Sequence, residues 1–307
     1  MLVVCGEALI DVFVQGDTPA GLAVEARVGG SPFNVAVGLA RLGRQVAFLS
    51  QVSRGFLGER LMRALAAEGV DTSTVQRSDA PTTLSLVGVD ARGVPAYAFY
   101  GEGCADRLLD ESSLEALPAG IRAITLGSYA TVVGSTAATQ RRLVERMQGR
   151  ALIAYDPNIR LNVEPRLAVW REQIEWMLPR TQLLKVSDED LGLVWPGLAP
   201  ADFAARALAQ GVKAVVVTRG GEGALGWSTA AQVAVPPVRV TVADTVGAGD
   251  TFQAALLTWL AEHEALSAEA LASLGAATLA DALGFAARAA AITCSRRGAD
   301  MPRRSEL

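Results

Sequence analysis

Short apolar runs alternate with longer segments in which apolar residues recur at helical spacing. The runs lie at 2–5, 46–50, 121–126, 151–155, 182–186 and 213–218, and the helical segments at 33–42, 56–68, 135–148, 166–178, 200–210, 247–262 and 268–293. The runs are continuous in their hydrophobicity, not alternating. That pattern predicts strands buried on both faces, hence a mostly parallel sheet with helices on each side. The expected fold class is α/β, with helices covering both faces of the sheet. Gly43 and Gly69 stand where helix C-terminal caps belong.

Two regions break the rhythm. Residues 9–28 hold short alternating stretches around Gly16-Asp17-Thr18-Pro19. Residues 82–100 read as a hairpin with its turn at Ala91-Arg92-Gly93. Together they predict a small β-sheet outside the main one, placed as a lid on a single domain spanning 1–307.

Composition narrows the class. At 307 residues with half of them hydrophobic, the chain can build one large core. The net charge is −4 and no basic run exceeds Arg-Arg, which argues against nucleic-acid and anionic-membrane partners. The Ala-rich segment 268–294 is interrupted by Glu269, Asp281 and Arg288 and predicts a packed helix pair, not a membrane span. Cys5, Cys104 and Cys294 are too far apart for a zinc knuckle and odd in number, and point to a reducing cytoplasm. The first strand begins at Leu2 with no basic leader pattern before it. His263, the only histidine, lies in a polar Glu-His-Glu patch, so histidine triads and His-rich metal sites are out. Any general base must be a carboxylate or something less usual.

Two motifs carry candidate chemistry. Near the C-terminal end, Asp244-Thr-Val-Gly247-Ala248-Gly249-Asp250 opens an apolar helix. Free N–H groups at a helix start cradle phosphate, and Asp250 in the first turn supplies a base for an attacking hydroxyl. Near the N-terminal end, Gly29-Gly30-Ser31-Pro32-Phe33-Asn34 leads into another helix, and Asn34 offers both a donor and acceptors to a polyhydroxylated ligand. The stretch Gly221-Glu222-Gly223-Ala224-Leu225-Gly226 also matches G-x-G-x-x-G, but a hairpin-like segment follows it and no helix, which rules out a dinucleotide reading. No Walker A sequence is present.

On these two motifs, in this order, the chain resembles the ribokinase-like sugar kinases of the PfkB family along essentially its whole length. The resemblance implies a ribokinase-like, Rossmann-type three-layer α/β core with a mostly parallel sheet and a small β-sheet lid. It also implies ATP-dependent phosphorylation of a sugar hydroxyl with Mg²⁺, often helped by a monovalent cation such as K⁺. It implies Asp250 as catalytic base and Gly247, Ala248 and Gly249 as the anion hole, with the N–H groups of Ala248, Gly249 and Asp250 as donors. Asp11, Gly29, Gly30 and Asn34 would hold the sugar. The family's Asn-x-x-Glu near metal and phosphates is replaced by Ser187-Asp188-Glu189-Asp190, so either Glu189 or Asp190 would serve Mg²⁺ through water. Lys185, Ser187 and the stretch Thr218-Arg219-Gly220-Gly221-Glu222-Gly223 would border the nucleotide. Asp244, Val246, Thr293, Arg296 and Gly298 match a potassium loop. Lid strands in this family often pair between subunits, which implies a homodimer.

Three further stretches resemble bacterial fructokinases: 97–107, Asp156-Pro157-Asn158-Ile159-Arg160, and 185–191. Arg160 suits a phosphate or a sugar oxygen, and Phe99 suits an apolar wall or hairpin packing. The expected reaction makes fructose 6-phosphate from D-fructose. 2-Keto-3-deoxygluconate, ribose or a nucleoside are alternative substrates. A non-catalytic sugar- or nucleotide-binding regulator is the alternative from another class, and the intact Gly247-Ala248-Gly249-Asp250 argues against it.

Overall fold

A computed structural model of the protein describes residues 1–89 and 95–307. The hairpin turn expected at 91–93 lies outside the described residues. In chain order the elements are β1 (Leu2–Cys5), β2 (Leu9–Thr18), β3 (Gly21–Gly29), α1 (Ser31–Arg41), β4 (Val46–Ser53), α2 (Phe56–Ala67), β5 (Val75–Ser78), β6 (Leu84–Val89) and β7 (Pro95–Tyr100). Then come β8 (Ala123–Gly127), α3 (Gly134–Met147), β9 (Leu152–Asp156), α4 (Leu167–Met177), β10 (Leu183–Ser187), α5 (Asp188–Val194), α6 (Pro200–Ala209) and β11 (Ala214–Thr218). The chain closes with β12 (Ala224–Ser228), β13 (Gln232–Val235), α7 (Ala248–Glu262), α8 (Ala268–Ala272) and α9 (Ala276–Cys294).

The main sheet runs β13-β12-β11-β10-β9-β8-β1-β4-β5. It is parallel from β11 to β5, and β12 and β13 add an antiparallel edge. Each predicted apolar run is one of its strands. Alternate residues feed opposite cores: Leu2 and Val4 join the layer of α1, α2, α7 and α9, while Val3 and Cys5 join that of α3, α4 and α6. β1 lies between β4 and β8, and the chain builds the sheet out first on the β4 side and then on the β8 side. That switch point opens a crevice at the carboxyl ends of the strands, where α/β folds place ligands.

A second sheet has the order β3-β2-β6-β7 and is built from the two regions singled out in the sequence. Its pairings are antiparallel except β2 with β6. The predicted C-terminal helix pair is α8 and α9, parted at Gly275. By length and hydropathy α9 is able to cross a bilayer, but here it packs on α7, β12 and β13.

Helices α1 and α7 cross on one face of the sheet, and each carries one of the two motifs. They touch closely because residue 38 is glycine: a Cβ there would lie 2.8 Å from Ala254 Cβ and 2.7 Å from Met301 Sδ. A side chain at 38 must push the helices apart. Gly38→Leu is expected to cost about 1–3 kcal/mol in denaturant unfolding and to cut turnover more than a surface substitution of equal cost. Wild-type stability and turnover would show that the contact is not limiting.

Candidate active site

Asp250 sits in the first turn of α7 and is 7% exposed. Its two oxygens are held from α1: Ser31 Oγ donates to Oδ1 at 2.6 Å, and Asn34 Nδ2 donates to Oδ2 at 2.8 Å. Ser31 in turn accepts from Asn158 Nδ2 at 2.7 Å. Burial raises the Asp250 pKa, and the two hydrogen bonds, then Arg160 and Lys185, oppose that rise.

Gly247 precedes the helix at φ 78°, the left-handed region, and a Cβ there would meet Ala299. The turn sends the Ala248 N–H back to Thr245 O at 3.2 Å. The anion-hole expectation is corrected on that point: Ala248 spends its N–H in the turn. Among the described residues, the N–H groups of Gly249 and Asp250 remain without a protein acceptor at the helix mouth. Lys185 lies beneath this mouth, its Nζ 3.3 Å from where a Gly249 Cβ would be. It is 4% exposed and ion-paired with Asp156 at the end of β9. Its charge therefore acts on the mouth from below and does not reach into solvent.

Asp11 on β2 occupies the space above Gly29, whose Cβ would fall 2.2 Å from Asp11 Oδ2. Gly30 is pressed on the Glu7 carbonyl in the same way, at 2.8 Å. Burial raises the Asp11 pKa, Ser85 and Arg160 lower it, and Asp250 raises it further. Asp11, Asp250 and Arg160 therefore share one electrostatic environment. Here a buried carboxylate stands at an open helix N-terminus, with a second carboxylate and a guanidinium near it. That arrangement can deprotonate a hydroxyl while an anion rests on the N–H groups.

A family model for pfkB carbohydrate kinases matches residues 1–305. The chain belongs to the pfkB family of carbohydrate kinases. It is 36% identical to a fructokinase of Rhizobium leguminosarum bv. trifolii, over 89% of this chain and 84% of that protein. It is 30% identical to fructokinase-2 of Solanum habrochaites, over 97% of this chain and 92% of that protein. A crystal structure of a fructokinase from Xylella fastidiosa with bound ATP superposes with a TM-score of 0.87 at 28% identity, covering 99% and 96% of the two chains. The expected family and fold are thus established.

In this pfkB-family kinase the remaining candidates divide. Asp190 is buried, accepts the Ile159 N–H at 3.2 Å, and has its pKa raised to about 6 by burial and by Asp156. Glu189 is exposed. Ser187 caps α5, accepting the Asp190 N–H at 3.0 Å. Thr218 ends β11, and Gly220, Gly221 and Gly223 shape the turn into β12. Arg219 is folded onto Glu222 within that turn. Phe99 packs edge-on to Tyr129 at 5.3 Å with Arg107 over its ring, so it serves the join between small sheet and core and forms no free wall. Asp244 accepts N–H bonds from Val246 (3.0 Å) and Gly298 (2.8 Å) and so staples the two halves of the expected potassium loop. Thr293 pairs with Thr251 at 2.8 Å. Arg296 turns outward to Glu306 and Asp300.

Four participants were not singled out from sequence as candidates: Ser31, Asn158, Asp156 and Glu7. The first three lie inside quoted motifs, so position in a motif was the available signal. Glu7 follows β1, is fully buried, and has its pKa raised to about 8, chiefly by burial. A carboxyl that ionises near pH 4.5 unfolded but near 8 folded binds an extra proton only in the native state between those values. Stability must fall as pH rises through that window. Glu7→Gln is expected to flatten the decline of Tm from about pH 4.5 to 8; equal slopes in the two proteins would refute the assignment.

Proposed function

We propose that the protein is an ATP-dependent fructokinase that transfers the γ-phosphoryl group to the primary hydroxyl of D-fructose, giving fructose 6-phosphate. The observation that carries this reading is Asp250: a buried carboxylate clasped by two donors, at the mouth of a helix that presents free N–H groups. Similarity to proteins named fructokinase, over nearly the full chain, supports the choice of sugar.

Each carboxylate oxygen has two acceptor sites, and Ser31 and Asn34 use one apiece. An oxygen of Asp250 therefore remains for the sugar hydroxyl. The hydroxyl oxygen attacks the γ-phosphorus, its proton passes to Asp250, and the bond to the β-phosphate oxygen breaks to release ADP. The N–H groups of Gly249 and Asp250, Lys185 from below and Arg160 from the rim offset the charge on the phosphoryl oxygens. Asp11, with Gly29, Gly30 and Asn34, holds the sugar. Thr218 to Gly223 border the nucleotide.

The residues present fit Mg²⁺. Asp190 retains acceptor capacity after its single backbone bond, and Glu189 stands exposed beside it. No group of three metal-ligating side chains occurs among the described residues, and Mg²⁺ is usually held by one or two carboxylates with water and phosphate completing its shell. Asp190 would hold it, with Glu189 at the rim; when bound, the ion neutralises phosphate charge. We place K⁺ at the Asp244–Gly298 loop. The exposed Leu22 and Val24 of the small sheet suit pairing with a second copy.

Asp250→Asn is expected to lower kcat by roughly 10²–10⁴-fold while sugar binding survives. ADP release measured with Mg-ATP against fructose, ribose, glucose, 2-keto-3-deoxygluconate and adenosine tests the substrate. Preference for another sugar would discard fructose and keep the base; an unimpaired Asp250→Asn variant would discard the base.

A further inference from the structure

We propose that Asn158 and Ser31 form a two-step relay that positions Asp250, with Asn158 acting only through the Ser31 hydroxyl. The proposal deepens the assignment of Asp250 as base and rests on it. The chain of contacts is direct: Asn158 Nδ2 to Ser31 Oγ at 2.7 Å, then Ser31 Oγ to Asp250 Oδ1 at 2.6 Å.

The direction of the bonds follows from valence. An ionised Asp250 only accepts, so Ser31 must give it its one proton. Ser31 can then only accept from Asn158, which fixes the amide with its nitrogen toward the hydroxyl. A protonated Asp250 does not impose this order. The relay therefore favours the ionised base and fixes the carboxylate plane.

Asn158 is itself held in an unusual backbone state. Its φ is 42°, one of three positive values at non-glycine positions among the described residues. Asn tolerates this region better than most residues, but glycine adopts it freely. The neighbours of Asn158 are tied down on both sides. Asp156 pairs with Lys185, and its carbonyl accepts the Ser128 N–H at 3.3 Å. Ile159 N–H donates to Asp190. The loop after β9 thus aims one side chain at the base while fixing the carboxylate assigned to the metal. A residue chosen only for its backbone geometry would be glycine; asparagine adds the donor that Ser31 needs.

The groups facing Asp250 are Ser31 and Asn34 on α1, Asp11 on β2, Arg160 after β9 and Lys185 on β10. With Arg160 and Lys185 unchanged, loss of the relay removes a bond made to the ionised form. The acid limb of the kcat profile should then move to higher pH.

The test uses Ser31→Ala, Asn158→Gly and the double variant, each assayed with fructose and Mg-ATP across pH. Asn158→Gly keeps the backbone state and removes only the side chain. Ser31→Ala is expected to lose roughly 10-fold in kcat, the effect of one hydrogen bond to a charged group, and Asn158→Gly roughly 3- to 10-fold, the effect of one neutral bond, each with KM little changed and the acid limb raised. The double variant should be no worse than Ser31→Ala, because the two residues act in series. Asn158→Gly with wild-type kcat and pH profile would overturn the relay and leave Asn158 a backbone residue. Multiplicative losses in the double variant would overturn it too. If Ser31→Ala does not fold, the pH profile of Asn158→Gly decides alone. Asp250→Asn, run alongside, separates the two readings: if it is unimpaired, the base assignment itself fails.

Discussion

The site exists because α1 and α7 touch. Asp250 comes from near the C-terminal end of the chain, and its partners Ser31 and Asn34 come from near the N-terminal end. Gly38, Ala254 and Met301 make the close contact beneath them. Interiors packed as densely as this transmit small displacements instead of absorbing them. The clasp on Asp250 is thus set by core packing well below the crevice. Neither helix can be repacked alone without moving one half of this hydrogen-bonded cluster.

The second constraint is charge. Asp11, Asp156, Asp190 and Asp250 gather round two cations, Arg160 and Lys185. Burial pushes Asp11, Asp190 and Asp250 toward the neutral form. Arg160 opposes this from the exposed rim and Lys185 from a buried position beside Asp156. A polyphosphate entering this crevice meets carboxylates as well as donors. A divalent cation at Asp190 would serve both sides at once, since it attracts the phosphates and lowers the carboxyl pKa. The site is thus poorly matched to a bare nucleotide and well matched to a metal-bound one.

The sheet and its flanking helices were legible because burial on both faces leaves continuous apolar runs such as Ala214-Val-Val-Val. The small sheet was legible from its broken rhythm. Gly247 and Asp250 were legible because a left-handed residue followed by an acid in a helix's first turn has a local signature. Where the reading fell short, the deciding contact was distant in sequence or set by local hydrogen-bond competition. The Ala248 N–H is lost to Thr245 through turn geometry that composition does not encode. Phe99 turns to Tyr129, and only the fold brings the two rings together. Asn158 and Ser31 lay in quoted motifs, yet their hydrogen bond joins the loop after β9 to the first residue of α1, far apart in sequence. β5 is short and only half-buried, so it leaves no clear pattern at all.

The small sheet is not a separate cover laid over this site. β2 carries Asp11, and β3 ends at Gly29, where the first motif begins. A sugar bound by Asp11 and the Gly29-Gly30 backbone is therefore bound by the root of that sheet. Any tilt of the sheet pivots on strands that line the crevice, so tilt and sugar contact cannot vary independently. Asp250, in contrast, is fixed to α1 and α7. In the proposed mechanism the sugar hydroxyl would meet Asp250, held on the packed helices, from a support that belongs to the small sheet. Such a division would place orientation of the sugar on the small sheet and proton transfer on the packed core, where a carboxylate aligned by Ser31 and Asn34 needs no rearrangement as the proton arrives.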